Sequence, residues 1–152
     1  MRAISPSPLL RTAFLADAAV SGTAALLQVA APSALRDALH LPSVLLFESG
    51  IFLVAYTALL VVLARTTRLP VAAVGLVIAG NVAWAVACLA LLLVPSLAPG
   101  ALGIAYLLMQ AVAVLIFAAW EYAGWHRSEP ASPPMRDGGI PDGRAAAGQR
   151  AV

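Results

Sequence analysis

The sequence predicts an all-α fold, a membrane-spanning up-down-up-down four-helix bundle, and three observations carry that prediction. First, the 152 residues are 62% apolar and only 11% charged, with a mean hydropathy of +0.93. Soluble domains run about 45–50% apolar and about 25% charged, so an aqueous fold is excluded. Second, the few charges are spaced to leave long neutral intervals. Third, every interval ends in proline, glycine or arginine.

The neutral intervals segment the chain. Between Arg11 and Arg36 the sole charge is Asp17, and between Asp37 and Arg65 it is Glu48. From Leu69 to Trp120 there are 52 residues without one. As a single helix that stretch would be roughly 78 Å long, against a hydrocarbon core of about 30 Å, so it must double back. Pro95-Ser96-Leu97-Ala98-Pro99-Gly100 supplies the break. Spans are thus expected at 10–31, 43–64, 70–94 and 101–123, within a transmembrane domain covering 1–127. Short connections force neighbouring helices antiparallel. Ala34 to His40 is long enough for one interfacial turn of helix, and Pro70 stands at the start of the third span.

Arginine placement sets the orientation. Arg2, Arg11, Arg65, Arg68 and Arg127 fall on one side, and Arg36 alone on the other. Both termini are therefore expected in the cytoplasm, with Trp120, Tyr122 and Trp125 at the inner headgroup layer. Arg2 and the apolar run after it have the outline of a signal peptide, but the run's length and Asp17 suit a retained span. From 128 to 152 prolines, glycines and alternating Arg and Asp take over, which predicts a disordered cytoplasmic tail. Arginine-only basicity and abundant alanine point to a GC-rich bacterial genome and hence to the bacterial cytoplasmic (inner) membrane.

Several function classes drop out. A formal charge of +2 is too small and too scattered for nucleic-acid binding. Cys88 is alone, which removes an internal disulfide or a thiolate metal cage. His40 and His126 are too few for most zinc or haem sites. There is no Gly-rich phosphate loop, no Ser/His/Asp set and no Cys-x-x-Cys. No enzyme activity, cofactor or metal is expected.

The informative residues are the polar ones inside the spans, because each is costly in lipid unless it is paired or faces a cavity. Asp17, Ser21, Ala24 and Gln28 follow 4-3-4 spacing and share one helix face. Asn81, Trp84 and Cys88 do the same in the third span, and Tyr106, Gln110, Ala113, Phe117 and Glu121 in the fourth. The second span carries Glu48, Phe52 and Tyr56. Four single polar stripes imply that they face one another. By position, Gln28 and Glu48 fall in the outer third, Ser21, Asn81 and Gln110 near the midplane, and Asp17 level with Tyr56. With no basic residue inside a span, Glu48 and Asp17 are expected to be protonated, solvated, or paired with Gln28 and Tyr56. Glu121 is expected at the inner interface near Arg127 or Arg65. The candidate ligand- or proton-binding set is Glu48, Asp17, Gln28, Tyr56, Asn81, Trp84 and Gln110. Its plainer reading is hydrogen-bonding glue, with Asn81 and Gln110 joined across the third and fourth spans.

The segments Leu10 to Gly22 and Gly80 to Ala85 give the chain the look of small four-span bacterial membrane proteins without assigned activity. In topology it resembles the DoxX-like group, whose members are tied to redox and accessory roles. That group's sharper sequence features are not found here, so the resemblance implies the four-helix topology alone. An acid in the first span, as Asp17 is, is also similar to the small multidrug transporters, but their expected Glu is missing.

Three functions follow as expectations. The leading one is an accessory subunit or small lipophile-binding bundle. The second is a proton-coupled small-solute transporter using Glu48 and Asp17. The third is a quinone-contacting subunit of a membrane redox complex, through Trp84 and Gln110. The partners implied are the lipid bilayer, a small lipophilic ligand, another membrane protein or a second copy of the chain.

Overall fold

The structure is a computed structural model that describes residues 3–131. The chain order is β1 (Ala3–Ser5), α1 (Pro8–Ala30), α2 (Pro32–Leu39), α3 (Ser43–Arg65), β2 (Leu69–Pro70), α4 (Val71–Leu91), α5 (Ala101–His126) and β3 (Glu129–Pro130). Helices α1, α3, α4 and α5 are each long and apolar enough to cross a membrane. Leu26, Val44, Val62, Leu76, Val86 and Leu102 stand exposed on their outer faces, as lipid-facing side chains should. The chain is an integral membrane protein with four spans.

Local chemistry explains the boundaries. Ser7 caps α1 by accepting from the Leu10 amide at 3.2 Å, and Pro8 occupies the first turn, where its missing N–H costs nothing. The interfacial turn expected between the first two spans is α2, which buries Leu39. Span α4 stops at Leu91 rather than at 94. Its last amides, from Leu92, Leu93 and Val94, bond three residues back instead of four, because Pro95 excludes the helical conformation before it.

All three strands meet at one end, where β1 pairs antiparallel with both β2 and β3. The segment before α1, the α3–α4 connection and the segment after α5 therefore share one end, as the up-down-up-down order requires. Arg11, Arg65, Arg68 and Arg127 belong to this strand end, and Arg36 lies on α2 at the other. Glu129 and Pro130, expected at the start of the tail, are instead held in the sheet. The expected tail from 132 onward lies outside the described residues.

The helices pack as antiparallel pairs, α1 on α3 and α4 on α5, and α1 also packs on α5. Close approach explains two glycines. A Cβ on Gly50 would lie 2.8 Å from Gln28 Cβ, and one on Gly124 would lie 2.7 Å from Leu10 Cα. At the strand end Leu10, Phe14, Leu60, Leu63, Leu69, Val74 and Val77 join α1, α3, β2 and α4 in one core. Elsewhere the ring of helices is incomplete, since α3 and α4 share no comparable backbone interface. That gap shapes the site.

Candidate functional site

Three polar layers cross the interior. The layer nearest the strand end gathers one stripe from every span. Asp17 and Glu121 are each 0% exposed and Asn81 is 1% exposed. Asn81 sits between the two acids, its Nδ2 donating to Asp17 Oδ2 at 3.0 Å and to Glu121 Oε2 at 3.2 Å. Ser21 Oγ donates to Asp17 Oδ1 at 2.8 Å, from one turn along α1. The Tyr56 hydroxyl lies 3.0 Å from Asp17 Oδ2 and 3.1 Å from Asn81 Oδ1, and gives its one proton to either. Glu121 Oε1 is buried without a hydrogen-bond partner. Among the described residues no cation closes this layer. Arg11 spends its guanidinium on the Ala64 carbonyl at 3.2 Å, and the salt bridge among the described residues is Arg36 with Asp37, on α2.

The middle layer joins α4 to α5 through Trp84 Nε1, which donates to Gln110 Oε1 at 3.1 Å. The third layer, nearest α2, is neutral. Gln28 is 1% exposed, donates from Nε2 to the Tyr106 hydroxyl at 2.6 Å and accepts at Oε1 from Ser49 Oγ at 2.7 Å. Here α1, α3 and α5 are tied together with every Gln28 atom served.

Between the layers lies a cavity of about 1030 Å³, bounded by all four spans. Its walls are mostly apolar, with Tyr56, Asn81, Trp84, Tyr106 and Gln110 as the principal polar points. It is not fully enclosed, and two of the helices that line it, α3 and α4, share no backbone interface comparable to those of the packed pairs. Phe52 of α3 bridges the gap by stacking on Trp84 of α4, with ring centroids 5.6 Å apart and planes 7° apart, and on Tyr56 at 6.4 Å. Phe52 is 56% exposed, so this aromatic bridge lies at the surface and not in the core.

Of the seven candidates from sequence, Asp17, Tyr56 and Asn81 come together directly, and Trp84 with Gln110 form the next layer. Gln28 belongs to the third. Glu48 joins none of them. It is exposed on α3, the solvated one of the alternatives expected for it, and Gln28 is taken by Ser49 and Tyr106. Asn81 and Gln110 do not bond each other, because Asn81 turns to the acids and Gln110 to Trp84.

Glu121 is the residue the sequence reading misplaced. It lies five residues from the end of α5, about 7.5 Å along the axis, which reads as interfacial. Helical side chains lean toward their own N-terminus. In α5 that direction is inward, and the long Glu side chain carries its carboxyl to Asn81. Its 4-spacing from Phe117 was the available signal, since Phe117 lines the cavity.

The chain matches no family model, no curated protein and no solved structure. Function has to be argued from these side chains.

Proposed function

We propose that this protein is a non-enzymatic bundle that binds a small lipophile within the membrane. The observation that carries the reading is the cavity itself: about 1030 Å³, apolar-walled, with a few polar points, and lined on one side by two helices, α3 and α4, whose backbones do not pack on each other. Ligand sites have this character, a concave apolar surface with a small number of placed polar groups. A void of this size inside a bundle forfeits packing unless something fills it. The gap gives a lipophile a route from the bilayer without crossing water.

In this reading both termini and the strand end face the cytoplasm, since four of the five arginines among the described residues gather there. The arginine-only basicity supports a bacterial inner membrane as the location.

The test is mass spectrometry of small molecules retained after extraction of the full chain in mild detergent. A defined apolar compound is expected with the wild type and is expected to be lost in Ala113→Phe, which places a ring in the cavity. Recovery of the same bulk lipids from both proteins would overturn the reading.

A second reading, proton exchange, is favoured by the acidic layer. Asp17 and Glu121 converge on the Asn81 amide with no cation among the described residues, and two buried acids held this close to one group cost less when one carries a proton. The groups facing this pair are Ser21 on its own helix, Tyr56 from α3 and Asn81 from α4. A pair holding one proton beside the cavity is suited to link proton release to ligand movement. Infrared spectroscopy of the reconstituted chain is expected to show a protonated-carboxyl carbonyl band that disappears in the Asp17→Asn, Glu121→Gln double variant. A wild-type spectrum without that band rules the proton-sharing state out.

A further inference from the structure

The cavity's polar points are not equivalent, and donor–acceptor bookkeeping separates them. An indole N–H only donates, so Trp84 forces the carbonyl oxygen of Gln110 toward itself. The amide nitrogen of Gln110 therefore faces away, and among the described residues its two hydrogens have no acceptor. One turn earlier on the same face of α5, the Tyr106 hydroxyl receives the Gln28 amide at 2.6 Å. Its own proton likewise has no acceptor among the described residues. Both residues line the cavity. Ser21, Tyr56 and Asn81 line it as well, but their donors are spent on Asp17, Glu121 or each other.

What α5 offers a ligand in the cavity is thus a pair of open donors. A donor left unmet in an apolar setting is costly, and the group that relieves it must bring an oxygen lone pair. We propose that the ligand is a lipophile headed by a hydrogen-bond acceptor, a carbonyl or ether oxygen, seated against Gln110 and Tyr106 with its apolar body toward Phe52 and the α3–α4 gap. The inference rests on the lipophile-binding reading and narrows it to a chemical class. An ammonium-headed lipophile, which brings donors and a charge, is disfavoured at the same place.

The experiment uses the full chain in lipid nanodiscs, in a Trp120→Phe, Trp125→Phe background that leaves Trp84 as the fluorescent reporter. Three probes share one brominated alkyl chain, whose bromines quench indole, and differ in the head: a methyl ketone, a plain alkane and an ammonium. The ketone is expected to quench saturably and to bind about tenfold more tightly than the alkane, with the ammonium weakest. Gln110→Met and Tyr106→Phe are each expected to bring the ketone toward the alkane's affinity while leaving the alkane unchanged. Tyr106→Phe guards the result, because it keeps the Trp84–Gln110 bond that Gln110→Met removes. Unchanged helical circular dichroism establishes that both variants are folded. Equal binding of ketone and alkane by the wild type would overturn the acceptor assignment and leave the cavity reading standing. Absence of saturable quenching by every probe would overturn the cavity reading and the assignment with it.

Discussion

The acidic layer and the neutral layer use similar side chains at two depths of one bundle, yet they obey different rules. Gln28 with Ser49 and Tyr106 is a neutral contact that links three helices and serves both polar atoms of Gln28. Such contacts hold membrane helices together by about 0.6 kcal/mol on average. Asp17 with Asn81 and Glu121 brings two acids into lipid depth, leaves Glu121 Oε1 without a donor and has no cation among the described residues to offset them. Apolar side chains would fill that volume at lower cost. The neutral layer leaves only the Tyr106 hydroxyl proton open, whereas the acidic layer leaves a carboxyl oxygen unmet at greater cost.

The largest effect should come from Asn81→Leu, which removes the donor shared by both acids. Stranding buried carboxyls is expected to cost about 3 kcal/mol or more of stability, read from unfolding of the full chain in mixed detergent micelles. The sharper arm replaces all three residues. Asp17→Leu, Asn81→Leu and Glu121→Leu together should recover most of that loss, because nothing polar is then left unpaired. A triple variant as unstable as Asn81→Leu alone would show that the layer acts through packing and not through polarity.

How far these layers were legible in the sequence follows from the physics of each signal. Neutral stretches bounded by Pro and Arg gave four spans within a few residues, because hydrocarbon thickness and helix rise leave little freedom. The 4-3-4 spacing of Asp17, Ser21, Ala24 and Gln28 turned one face of α1 inward, and Asp17, Ser21 and Gln28 are buried. Pairing was harder to read. Spacing fixes which face a residue occupies but not how far its side chain leans along the axis, so Glu121 was placed at the interface and Asn81 opposite Gln110. The gap between α3 and α4 left no mark in the sequence at all, since a lipid-facing surface and a cavity wall are made of the same leucines, valines and alanines.

A smaller effect is expected from Gln28→Leu. Ser49 retains the Leu46 carbonyl at 3.0 Å and Tyr106 is freed to point into the cavity, so the cost should be about 1 kcal/mol in the same unfolding measurement. Asp17 and Gln28 stand eleven residues apart on α1, about 16.5 Å along the axis. At that separation Gln28→Leu and Asn81→Leu should add to within about 0.5 kcal/mol. A larger coupling between them would mean that the layers are one network reaching through Trp84 and Gln110.

The smallest effect is expected from Glu48→Gln, although by sequence Glu48 was the foremost proton-binding candidate. It lies five residues into α3, about 7.5 Å from that helix's start, on its exposed face. Helical side chains lean toward the N-terminus, which for α3 is the end nearest α2, so the carboxylate can reach the headgroup region and water. A carboxylate that reaches water bears little of the penalty that makes a buried acid informative. Stability should therefore change by less than about 0.5 kcal/mol, and the carboxyl band assigned to Asp17 and Glu121 should persist in Glu48→Gln. Loss of that band in Glu48→Gln would move the proton site to the outer face of α3 and reverse the ranking of the acids drawn from burial.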